Sequence, residues 1–260
     1  MRRHKLLNLL QANRKQGEFR AEGNTIFLYD VIVGSEAEAE FWGGVAPESF
    51  VRQLSAMRGP VALRINSPGG EVFAARAMQQ AMLEYGDEIT VHVDGLAASA
   101  ATFLAVSGAR CVMAPGAFMM IHNAATMALG TATDFRSVAN VLEKVDGTIA
   151  ATYALKSGKD IAGFTDLMAA ETWLTAEEAV ELGLADEIST ATGPQAKAWD
   201  LTAYAHAPRA ATADPAAEPP TEPVAPVAEP APDPEPAAAP VEDAERKSRI
   251  LAARLLAPTA

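Results

Sequence analysis

The chain has 260 residues, 49% of them apolar and 21% charged, enough for one substantial core or two small ones. A formal charge of −12 argues against nucleic acid as a main partner. A single cysteine, Cys111, rules out an internal disulfide, and the four scattered histidines give no Cys/His zinc site.

Residues 1–22 read as a basic N-terminal arm, since residues 1–20 hold six basic side chains and one acidic. Leu6, Leu7, Leu9 and Leu10 predict a short amphipathic helix or a frayed arm, or more sharply a segment that docks on a partner. The apolar run is too short for a secretory signal, and no window approaches the roughly 18 apolar residues of a membrane span. The expected location is the cytoplasm, with no membrane partner.

Residues 23–204 are assigned to one folded domain, with a strand–helix rhythm over 23–190. Strands are predicted at 25–33, 61–65, 89–93, 110–113, 118–121 and 185–188. Helices are predicted at 47–57, 71–85, 98–107, 133–157 and 176–182. Alternating strands and helices imply a mostly parallel sheet flanked by helices. Cys111 falls in a β-run and is expected in the core. The segment 205–240 is assigned as a linker, because residues 208–240 hold eleven prolines among Ala, Glu and Asp and cannot bury a core. Residues 241–260 predict a short terminal helix, which would fray or dock on a partner.

Three segments could carry chemistry. In residues 91–103 a β-run ends at Gly95 and a small-residue helix begins near Ser99. A serine at such a turn leaves room for a substrate backbone, and the helix amides favour developing negative charge. In residues 64–72 a strand ends in Pro-Gly-Gly, where glycines admit close backbone approach; no lysine follows as in a phosphate loop. The amides of Gly70 and Ala100 are candidate oxyanion donors. In residues 119–123, His122 closes an apolar strand. His4 lies in the arm, His206 opens the linker and His92 is mid-strand, so elimination favours His122 as the base for Ser99. Asp134, Asp146, Asp160, Asp166 and Glu171 are all open as its orienting partner.

The stretches Ile65-Asn-Ser-Pro-Gly-Gly, Gly95-Leu-Ala-Ala-Ser-Ala-Ala, Met120-Ile-His-Asn and Trp173-Leu-Thr-Ala-Glu-Glu-Ala together resemble the Clp peptidase family over residues 24–190. The resemblance implies a crotonase-like ββα superhelix of the α/β class and a serine endopeptidase with Ser99 and His122 as its pair. The family's third residue, an aspartate, falls at Glu171, with Asp166 as alternate. The family's pattern also implies that Gly69, Glu71 and Val72 bind substrate as an added strand. The region 124–157 resembles the handle that builds a ring of identical subunits. Members served by ATPases carry Asp-Arg before the catalytic aspartate; here Ala169-Ala170 stand there.

The departures most resemble the Clp-related head maturation proteases of tailed bacteriophages, which implies capsid and scaffold proteins as substrates. The alternatives are an ATPase-fed housekeeping subunit and an inactive assembly protein of the same fold. No metal or cofactor is expected.

Overall fold

The computed structural model describes residues 5–190 and 198–208. The predicted linker from residue 209 onward and the predicted helix at 241–260 lie outside the described residues.

The central strands alternate fully buried apolar residues with half-buried ones, so one face of the sheet is packed more deeply than the other. Strands β1 (Glu18–Glu22), β2 (Thr25–Tyr29), β3 (Val61–Ser67), β4 (Ile89–Ala98), β5 (Arg110–Met113) and β8 (Glu187–Ile188) lie in that spatial order. Strand β6 (Phe118–Ile121) also pairs with β4, and β7 (Thr172–Thr175) pairs with β6. Only the β1–β2 and β6–β7 pairs are antiparallel. The helices are α1 (Lys5–Ala12), α2 (Glu36–Trp42), α3 (Pro47–Ala56), α4 (Val72–Glu84), α5 (Ala101–Ser107), α6 (Ala132–Ser157), α7 (Ile161–Ala169) and α8 (Ala176–Leu182). The result is a mixed α/β domain with a mostly parallel sheet, as the strand–helix rhythm implies.

Strand β4 positions the site. Its first half pairs with β5, Thr90 to Val93 against Arg110 to Met113. Its second half leaves β5 and pairs with β6, Leu96 to Ala98 against Phe118 to Met120. Opposite β3 the register shifts between Ile65 and Ser67, a bulge that bends the strand. The bend is pinned by Asp94, whose carboxylate pairs with Arg64 and accepts a 2.5 Å hydrogen bond from the Tyr29 hydroxyl. Ser99 therefore leaves the sheet one residue beyond a paired strand.

Two apolar clusters support this frame. The main core lies between the sheet and α3, α4 and α5, centred on residues such as Leu63, Ile65, Met78 and Phe103. A second cluster joins Leu9 and Leu10 of α1 to Trp199, Leu201 and Tyr204, against Ala98 and Met120.

Several expectations need correction. The helix predicted from residue 98 starts at Ala101, because pairing with β6 holds Leu96–Ala98 extended despite the helix preference of alanine. The arm–domain boundary at 22/23 cuts through a hairpin: Glu18–Glu22 pairs with β2, and α1 buries Leu9 and Leu10. The boundary at 204/205 is also too early, since the His206 amide is bonded to Glu171 and Ala207 packs on the second cluster. The strand predicted over 25–33 ends at Tyr29; beyond it Ile32 makes single bridges to Val45 and Gly70. Helices α2 and α7 and strand β7 were not predicted. Cys111 is fully buried, and burial pushes its thiol up to about 12.

Candidate active site

Ser99 sits between the end of β4 and the start of α5 with φ of 52°, a left-handed conformation unusual for a residue with a side chain. Its amide is held by the Met120 carbonyl at 2.8 Å, which fixes the turn to β6. That turn makes a strand–helix elbow, with Ser99 half-buried, without the G-x-S-x-G spacing.

One residue beyond β6, His122 places Nε2 2.8 Å from Ser99 Oγ. The two partners are brought together because β4 and β6 are neighbours that end side by side. Burial lowers the His122 pKa to about 4, helped by the Lys5 ammonium and opposed by Glu171 and the Asn123 backbone. The ring is therefore neutral near pH 7 and its Nε2 lone pair is free to accept the serine proton when the ring proton sits on Nδ1.

The Pro68–Gly70 turn lies against this pair. A Cβ on Gly69 would sit 2.5 Å from the Ala98 carbonyl and 2.8 Å from Ser99 Cβ. Gly70 has φ of 149°, and a Cβ there would overlap the Ile32 carbonyl. Only glycine fits either place. Ile32 donates to the Gly69 carbonyl and accepts from the Glu71 amide, so the Gly70 amide faces the other way. Neither the Gly70 nor the Ala100 amide has an acceptor among the described residues. Glu71 caps α4 by accepting from the Ala74 amide at 2.5 Å, and both Glu71 and Val72 line the site cavity.

The five candidate orienting acids separate cleanly. Asp134 closes the capping box of α6 with Thr131, Asp146 accepts from the Ala124 amide at 2.7 Å, and Asp160 caps α7. Asp166 is exposed on α7 and does not line the cavity. Glu171 alone acts electrostatically on His122. It is buried at a left-handed turn with φ of 50°, between α7 and β7. Neither of its oxygens bonds the His122 ring among the described residues. Oε2 takes the Lys5 ammonium at 2.7 Å and Oε1 takes the His206 amide at 2.8 Å. Burial would raise this carboxyl, but Lys5 and the His206 and Ala205 amides hold it below the usual range.

A cavity of about 470 Å³ opens over Ser99 and His122. Its walls are apolar, from Leu6 and Leu9 of α1, Val72 and Phe73 of α4, and Val138 and Leu142 of α6. Lys5 and Tyr204 also face it, and sequence reasoning missed both. No cluster of His, Cys, Asp or Glu suited to a metal ion occurs among the described residues, and none of their helices is long and apolar enough to cross a membrane.

A serine hydroxyl paired with a neutral imidazole, beside two unengaged amides at the carboxyl ends of parallel strands, is the arrangement that serine hydrolases use. The Clp protease family profile matches residues 29–192, and the chain belongs to that family. It is accordingly a serine-type peptidase, of the kind that forms Clp proteolytic subunits. It is similar to the ATP-dependent Clp protease proteolytic subunit 1 of Protochlamydia amoebophila (strain UWE25), at 32% identity over 171 residues. Those residues cover 64% of this chain and 81% of the relative.

Proposed function

We propose that the chain is an endopeptidase that uses Ser99 as nucleophile and His122 as base, and that it processes capsid and scaffold proteins during phage head maturation. The observation that carries the chemistry is the 2.8 Å contact between Ser99 Oγ and His122 Nε2.

Ser99 Oγ attacks the scissile carbonyl as its proton passes to His122 Nε2. The tetrahedral oxyanion is received by the Gly70 and Ala100 amides, each donor of this kind contributing about 100- to 1,000-fold to rate. The imidazolium returns its proton to the leaving amine, and the C–N bond breaks to give an acyl-enzyme. Water, deprotonated by His122, then releases the acid and restores Ser99. Glu171 steadies the imidazolium by charge, through space in the observed arrangement and directly if its carboxylate is released from Lys5. Residues 69–72 receive substrate backbone as an added strand.

The head maturation role is supported by Ala169-Ala170 standing where ATPase-served members carry Asp-Arg, and by the acidic Pro/Ala-rich composition after residue 208. The subunits assemble as a ring through the handle, where Phe135 and Val141 of α6 and Leu129 before it are exposed apolar side chains. A second reading, a subunit fed by an ATPase unfoldase, is favoured by the name of the bacterial relative.

The test is co-expression with neighbouring coat and scaffold proteins, wild type against Ser99→Ala, read by intact mass. Fragments that require Ser99 and no ATP support the head maturation reading. Cleavage that requires an added unfoldase supports the second. Identical masses under every condition would leave an assembly protein without activity.

A further inference from the structure

The family match ends at residue 192, yet the chain returns to the active site over residues 198–208. This return is built, not incidental. Asn13, buried at the end of α1, donates to the Asp200 carbonyl at 2.9 Å and accepts from the Asp200 amide at 2.8 Å. Trp199 and Leu201 are buried with Leu9 and Leu10. The two ends of the domain thus hold each other, and the side chain they deliver to the site is Tyr204.

Tyr204 touches both halves of the site. Its hydroxyl donates to the Pro68 carbonyl at 2.6 Å, on the turn that presents Gly70. Its ring meets the His122 ring edge to face at 5.5 Å, and the Trp173 ring at 5.9 Å. The Pro68–Gly70 turn follows β3, whereas His122 follows β6, and β4 lies between these strands. Tyr204 spans that gap.

We propose that Tyr204 is a positioning residue of the peptidase, which clamps the Pro68–Gly70 turn against the Ser99–His122 pair. The clamp keeps the Gly70 amide aimed at the point where the oxyanion develops. It acts through the backbone it holds and transfers no proton. The inference rests on Ser99 being the nucleophile. It adds that a segment outside the family match completes the site.

The test is the rate at which a fluorophosphonate probe labels Ser99 in the full chain, measured across pH for wild type, Tyr204→Phe and Ser99→Ala. Phenylalanine keeps the ring contacts and removes the bond to Pro68. The expected result is a plateau rate about tenfold lower in Tyr204→Phe, the worth of one well-placed hydrogen bond. The acid limb of the profile, set by His122, stays where it is, and the melting temperature changes by a few degrees at most. A wild-type plateau, or a faster one, overturns the proposal. So does a loss of rate that only tracks loss of folded protein, since Tyr204 would then be structural. Wild type that labels no better than Ser99→Ala would instead refute the reading of Ser99 itself.

Discussion

Burial and the Lys5 ammonium together lower the His122 pKa to about 4, so the base is unprotonated through the neutral range. A base must be neutral to act, so activity is lost only as pH falls through the folded value. The acid limb of a rate–pH profile is therefore expected well below 6.5, the ordinary histidine value. Lys5→Met removes the one charged group that depresses the base and leaves Glu171 unopposed, so the limb moves to higher pH. A limb that stays put in Lys5→Met would show that Lys5 does not govern the ring. The Ser99–His122 pair was legible because each residue closes an apolar strand within a recognisable stretch. Lys5 and Tyr204 were not, because they reach the site through the pairing of Asn13 with Asp200, 187 residues apart, and such contacts leave no local pattern.

Strand ends, more than strand interiors, decide what the elements do here. The periodicity of apolar residues located β3, β5, β6, α4 and α6 closely. It misjudged residues 96–98, where pairing with Phe118–Met120 outweighs alanine's propensity, and it missed β7, whose extended form depends on β6 beside it. The Pro68–Gly70 turn shows how strictly such an end is set. Gly70→Ala would put a Cβ into the Ile32 backbone at φ of 149°. It is expected to cost about 1–3 kcal/mol of stability and most of the activity, checked by urea unfolding and probe labelling. Full activity in that variant would show that the turn is not held as described. Asn13→Ala strands the backbone groups of Asp200. It should lower stability by roughly 1–3 kcal/mol and speed amide exchange over residues 199–204 before the sheet is affected. Equal exchange in both proteins would show that this pairing does not anchor the segment.

At the scale of the molecule, α6 is divided along its length. Ile149, Ala150, Tyr153 and Ala154 are buried in the core, while Phe135 and Val141 near its start are exposed. Large apolar side chains left in water are costly, and a ring of subunits would cover them. Val141→Lys is expected to shift the protein to smaller species in sedimentation velocity without a large change in melting temperature. An unchanged assembly would place the interface elsewhere. The fold class was legible from the motif order, but the extent of the domain was not. Residues 1–22 read as an arm outside the domain, and it is their packing on residues 199–204 that brings Lys5 and Tyr204 to the site.

The account depends most on Ser99 being the residue that reacts. The most direct measurement is peptide mapping after fluorophosphonate treatment of wild type and His122→Ala at pH 7. The structure predicts a single adduct on the peptide containing Ser99, with labelling lost or reduced at least a hundredfold in His122→Ala. An adduct on another residue, or labelling of Ser99 that does not depend on His122, would contradict it.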